Sequence, residues 1–106
     1  MATYDLYAID ADSIAEAKEL VERVLSVPFF EHDSGFHRGP YFSAGKVGGE
    51  NFEIKFNMDP YEDEPSEDKF PDDSYLLYIN NTDRSDSLEA SLTDIGKIHL
   101  LRRVNM

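Results

Sequence analysis

Residues 59–73 (DPYEDEPSEDKFPDD) restrict the possible folds of this chain more than any other stretch. Eight acids, one lysine and three prolines fall within 15 residues, a local charge of −7. Proline at that density denies the backbone a regular helix or a central strand. The segment is read as a long acidic loop, and the core must come from the sequence on either side of it. In a chain of 106 residues that leaves one domain, 1–106. A hydrophobic share of 41%, with six tyrosines and seven phenylalanines, is too rich for a disordered acidic tail.

Periodicity divides the remainder into short elements. Residues 3–9 (TYDLYAI) read as a strand. Ser13 and Glu16 have capping-box spacing, and Ile14, Ala17, Val21, Val24 and Leu25 follow at helical intervals, with Pro28 stopping the helix near Val27. Residues 28–40 (PFFEHDSGFHRGP) carry prolines at both ends and two glycines, and read as irregular. A hairpin is expected over 41–58: a strand at 41–46, a turn at Gly48-Gly49 and a strand from residue 51. In that last strand Phe52, Ile54, Phe56 and Met58 face one way and polar residues the other, so one side is buried and the other wet. Residues 74–81 read as a further strand. A short helix follows, with Asp86 and Glu89 in capping-box spacing and Gly96 at its end, and 97–104 close the fold as a last strand. The expected fold is α+β: a mainly antiparallel sheet with two helices packed on one face, in the order β-α-β-β-β-α-β.

Charge and composition narrow the function. Acids outnumber bases 22 to 10, a net charge of −12, which would repel a nucleic-acid backbone or an anionic membrane and attract a basic protein. The absence of cysteine removes thiol catalysis, cysteine zinc sites and disulfides. The first ten residues lack the basic and apolar regions of a signal peptide, and no apolar run reaches the ~20 residues of a membrane span. A soluble, cytoplasmic protein is expected.

Catalytic motifs find little support. His32 and His37 lie five apart with Glu31 and Asp33 adjacent, but match no metal-binding or acid–base motif and read as ordinary loop histidines. The acidic run fails the calcium-loop pattern, since Glu64 stands where the sixth-position glycine belongs. No P-loop, G-x-S-x-G or G-x-G-x-x-G is present. Asn80-Asn81-Thr82 has the form of a glycosylation acceptor, without a secretory signal to give it meaning. The protein is therefore not expected to be an enzyme, and no cofactor or metal is implied.

The acidic loop remains as a binding surface. Its charge would steer a basic partner, and Tyr61 and Phe70 inside the run offer the aromatic anchors that tight binding needs. The expected partner-binding residues are Asp59, Tyr61, Glu62, Asp63, Glu64, Glu67, Asp68 and Phe70, with Glu31 and Asp33 in the other irregular loop as a second set. The basic residues Lys97, Arg102 and Arg103 read as guards of an edge strand that pair with acids within the molecule.

In size, charge and layout, with a helix opened by Asp12-Ser13-Ile14-Ala15-Glu16 and the acidic insert at 59–73, the chain resembles the bacterial immunity proteins encoded beside polymorphic or contact-dependent growth-inhibition toxins. The resemblance spans the whole chain loosely and rests on no diagnostic motif. It implies a single cognate toxin C-terminal domain, often a basic nuclease, occluded by acidic and aromatic residues, with no direct contact to nucleic acid or membrane. Two alternatives come from other classes. One is an acidic DNA mimic or regulator that sequesters a nucleic-acid-binding host protein. The other is a small enzyme or metal-dependent domain using His32 and His37.

Overall fold

Strand β1 (Thr3–Ile9) lies inside the sheet, hydrogen-bonded to a neighbour on each side. The computed structural model describes residues 2–34, 39–46, 48–57, 67 and 74–105, of which 33, 34, 39 and 40 are described in backbone only. After β1 come α1 (Ile14–Leu25), β2 (Phe30–Ser34), β3 (Gly39–Gly45), β4 (Asn51–Phe56), β5 (Tyr75–Thr82), α2 (Ser85–Thr93) and β6 (Ile98–Asn105). The strands form one antiparallel sheet in the order β2-β3-β4-β5-β1-β6.

The fold is α+β, with every expected element present in its expected order. One strand is added. β2 occupies part of the segment read as irregular, and pairs with β3 from Phe30–Ser43 to Ser34–Gly39. Its sequence, FEHDS, has one large apolar residue, because an edge strand exposed on its outer side has little to bury.

Local chemistry accounts for most of the element ends. Ser13 caps α1, its Oγ accepting the Glu16 N–H at 3.1 Å. The helix closes at Leu25, earlier than Pro28 requires, because Ser26 turns left-handed (φ 56°) and donates its N–H to the Glu22 carbonyl. The expected cap on α2 does not form. That helix starts at Ser85 behind an N-cap Arg84 that makes no side-chain cap bond, while Asp86 turns toward Arg103 at 3.3 Å. The β3–β4 turn is as expected, with Gly48 at φ +83° and the Gly49 N–H bonded to the Lys46 carbonyl.

The helices share one face of the sheet. Tyr7, Ile9, Phe42, Phe52, Ile54, Leu77, Ile79 and Ile98 from the strands pack with Ile14, Ala17, Val21, Leu88 and Leu92 from the helices. A fully buried leucine or isoleucine of this kind contributes roughly 1.5–3 kcal/mol of transfer free energy.

Two bulges change which residues reach that face. In β5, Asn81 is the extra residue opposite β1 and takes the left-handed conformation (φ 57°) that asparagine tolerates. In β6, the register slips between Leu6–Arg102 and Tyr7–Leu100, leaving Leu101 unpaired. Without the slip Arg102 would follow Ile98 and Leu100 under the helices. With it, Arg103 takes that place and Arg102 lies on the open face. No helix among the described residues is long and apolar enough to cross a membrane.

Candidate functional site: the open face of the sheet

Strand alternation presents a second row of side chains on the face away from the helices. At its centre Leu6, Ala8 and Leu76 are buried, so this face is covered there and open toward β2 and β3. Around them, Glu53 and Tyr78 stand opposite each other on β4 and β5, and Lys55 and Leu76 do the same one step along. The Lys55 ammonium lies 4.6 Å from the centre of the Tyr78 ring and 3.6 Å from the Glu53 carboxylate.

Glu67 is the one residue of the acidic segment 59–73 within the described residues, and it is tied to this face. Its Oε2 accepts from the Tyr78 hydroxyl at 2.7 Å, its Oε1 from Arg102 Nη1 at 2.9 Å, and its backbone N–H donates to Asn57 Oδ1 at 2.8 Å. Burial works against the charged carboxylate, but the Tyr78 and Arg102 hydrogen bonds outweigh it and hold Glu67 below the usual glutamate range. Burial, then the hydrogen bond to Glu67, pushes the Tyr78 phenol well above its ordinary value. The segment's two ends meet at one rung, where the Asn57 N–H donates to the Ser74 carbonyl at 2.9 Å. Asp59, Tyr61, Glu62, Asp63, Glu64, Asp68 and Phe70 lie outside the described residues.

At the β2 end, the open face carries a groove of about 560 Å³ lined by Phe30, His32, Tyr41, Ser43, Asn51 and Glu53 among others. His32 stacks on Tyr41 with ring centres 4.9 Å apart, and its Nε2 is 2.7 Å from Ser43 Oγ. Phe30 is 65% exposed at the rim. Glu31 is exposed on β2, and Asp33 is placed on that strand by its backbone, its side chain being outside the described residues. Pro40, opposite Asp33, has no N–H, so their pair is not a hydrogen-bonded one. Bonded pairs alternate along an antiparallel ladder. They therefore fall on Phe30–Ser43, His32–Tyr41 and Ser34–Gly39, and the backbone N–H and C=O groups of Glu31 and Asp33 point outward from the sheet.

The opposite edge is tied down. Arg103 reaches under α2 and clamps the fully buried Asp5 carboxylate, through Nε at 3.0 Å and Nη2 at 3.3 Å. It also meets Glu89 at 3.0 Å and Asp86 at 3.3 Å, and donates to the Ser85 carbonyl. The hydrogen bond to Asp5 is the main reason the Arg103 guanidinium is held still further above its ordinary pKa. Nearby, Tyr7 is fully buried, and among the described residues its hydroxyl has no partner in good hydrogen-bond geometry, although the Arg103 guanidinium lies close to it. Burial, with the Asp5 charge adding, pushes that phenol up to about 12. Glu50 and Arg84 form a separate two-point pair at 2.6 and 2.9 Å, joined by the Thr82 hydroxyl at 2.7 Å. The Arg84 hydrogen bond holds Glu50 below the ordinary glutamate range.

Sequence reading put its candidate acids in two loops and missed the groove, because His32 and Ser43 meet across strands 11 residues apart. The alternation of Phe30 and His32 is the one signal that could have shown it. Among the described residues no cluster of three or more His, Asp or Glu could hold a metal ion, and His37 lies outside them. No protein-family model matches the chain, and comparison with curated proteins finds no match.

Proposed function

We propose that this chain is an immunity protein that binds a cognate basic toxin domain and blocks its active site. The observation that carries the reading is where the charge goes. Lys18, Lys55, Arg84, Arg102 and Arg103 each pair with an acid of the same chain, so at least five of the ten bases are used internally. The chain as a whole carries 12 more acids than bases, and eight of its 22 acids belong to 59–73. Such a surface steers a basic protein toward it and discourages nucleic acid.

In this mechanism Asp59, Glu62, Asp63, Glu64 and Asp68 occupy the place of substrate phosphates, and Tyr61 and Phe70 fill the adjoining groove. Glu67 serves differently from its neighbours, since Tyr78 and Arg102 already occupy its carboxylate. Exposed ion pairs contribute only ~0–1 kcal/mol each, so the aromatic residues supply most of the hold. An interface of standard size buries about 800 Å² on each partner.

Affinity capture of the tagged protein from its host, washed at low and then high salt, tests the reading. A single basic toxin domain retained at high salt, with its activity blocked by the purified protein, is the expected result. Reversing Glu62, Asp63 and Glu64 to lysine is expected to leave the fold intact and weaken protection. Unchanged toxin affinity in that variant by calorimetry rules out the acidic segment. Capture of a host DNA-binding protein would instead favour a regulator.

A further inference from the structure

The geometry points to β2 as a docking strand: its outer edge takes an extended basic segment of a partner protein as a seventh strand of the sheet. This rests on the reading above for the partner's charge and names where the partner would attach. Three features of β2 carry it. The outward N–H and C=O groups of Glu31 and Asp33 have no strand beside them among the described residues. Phe30, 65% exposed, and His32 stand on the open face, where the groove of about 560 Å³ continues onto Tyr41 and Ser43. Glu31 is exposed on the other face of the strand, in the row of Phe42.

An added strand would place alternate side chains on the two faces. Those on the open face would lie over the groove beside Phe30, and those on the other face would meet Glu31. The fitting segment therefore alternates apolar or aromatic residues with lysine or arginine. A second copy of this chain does not fit. Antiparallel pairing of two β2 strands about His32 sets Glu31 of each opposite Asp33 of the other, and like charges directly opposed destabilise a ladder. The β6 edge is a poorer template, since it is bulged at Leu101 and carries Arg102 and Arg103.

The probe is a synthetic octapeptide alternating arginine and valine, with an alternating glutamate–valine peptide as control. Amide hydrogen exchange by NMR is expected to show at least tenfold slower exchange at Glu31 and Asp33 with the arginine peptide, and no change with the control. Glu31→Pro removes one outward N–H and leaves the β2–β3 rungs untouched, so it should fold and bind the peptide at least tenfold more weakly. Glu31→Lys keeps the backbone and should weaken binding through charge alone. No binding, protection confined to β6 or the helices, unchanged affinity in both variants, or self-association through β2 each overturns the proposal. The assay contains no toxin, which separates the two failures. A toxin held equally by wild type and Glu31→Pro overturns the docking edge and leaves neutralisation standing. A peptide bound at β2 with no toxin captured does the reverse.

Discussion

The two edges of the sheet solve the same problem in opposite ways. At β6 the chain spends its arginines inward: Arg103 on Asp5, Asp86 and Glu89, and Arg102 on Glu67. The bulge at Leu101 decides which face each of the two adjacent guanidinium groups takes, Arg103 beneath α2 and Arg102 on the opposite face. At β2 the charged residues are acids, and Phe30 and Glu31 are exposed. One edge is tied to the rest of the molecule by ion pairs and the other carries few such ties among the described residues. Stability should therefore be concentrated at β6, and the proposed binding at β2 and along the acidic segment.

The largest expected effect tests the β6 edge. Asp5→Ala removes the buried carboxylate but leaves Arg103 its contacts with Glu89 and Asp86, and should cost about 1.5–3 kcal/mol in urea unfolding, whereas the double replacement Asp5→Leu, Arg103→Met should recover most of that loss. If the double variant is as unstable as the single one, the pair matters for something other than charge compensation. Next in size, Tyr7→Phe deletes a buried hydroxyl with no partner in good hydrogen-bond geometry among the described residues, and should stabilise the fold by up to about 1 kcal/mol. A loss of stability would mean that the Arg103 contact matters.

A smaller effect appears in acid. Glu50 and Glu67 have folded pKa values below the ordinary glutamate value. The unfolded state thus binds protons first as pH falls, and the contribution of these carboxylates is complete above about pH 4.3 and lost as pH drops through their folded values. Glu50→Gln and Glu67→Gln should each flatten the fall in melting temperature below that point, by no more than the ~1 kcal/mol of a partly exposed pair. A steep fall retained in both variants would shift the acid sensitivity to other groups. The smallest effect belongs to the open edge: Phe30→Ala should change stability by less than about 0.5 kcal/mol, because the ring is already mostly in water. A loss of 2 kcal/mol or more, the ~2–5 kcal/mol range of a buried large-to-alanine change, would mean that β2 is packed and the contrast between the edges is lost.

The same contrast explains what the amino-acid order reveals. Elements specified by neighbours in the chain were legible: the Ser13 cap and the stripe from Ile14 to Val24, the Gly48-Gly49 turn, and the alternation of Phe52 and Ile54. β2 was hidden because prolines and glycines flank it and an edge strand lacks a two-sided apolar pattern. The spacing of Asp86 and Glu89 suggested a cap, but the helix begins earlier, at Ser85, which puts Asp86 inside its first turn, and both carboxylates meet Arg103. Asp5 and Arg103 are 98 residues apart, and only the sheet order brings them together. On the candidate site, the acidic segment could be read as a charge run, but Glu67 could not be separated from its neighbours before Tyr78 and Arg102 were seen beside it.

The rung between Asn57 and Ser74 has a consequence for how such a chain can diversify. The Asn57–Ser74 rung pins both flanks of residues 58–73 to one point of the sheet, so the sheet itself fixes the distance between their ends. Doubling the length of such a loop costs only ~0.6 kcal/mol in closure entropy. Lengthening the chain between those two ends therefore costs the fold little in closure entropy, provided Asn57, Glu67 and Ser74 keep their bonds. The sheet can keep its architecture while the length of chain between these pinned ends varies.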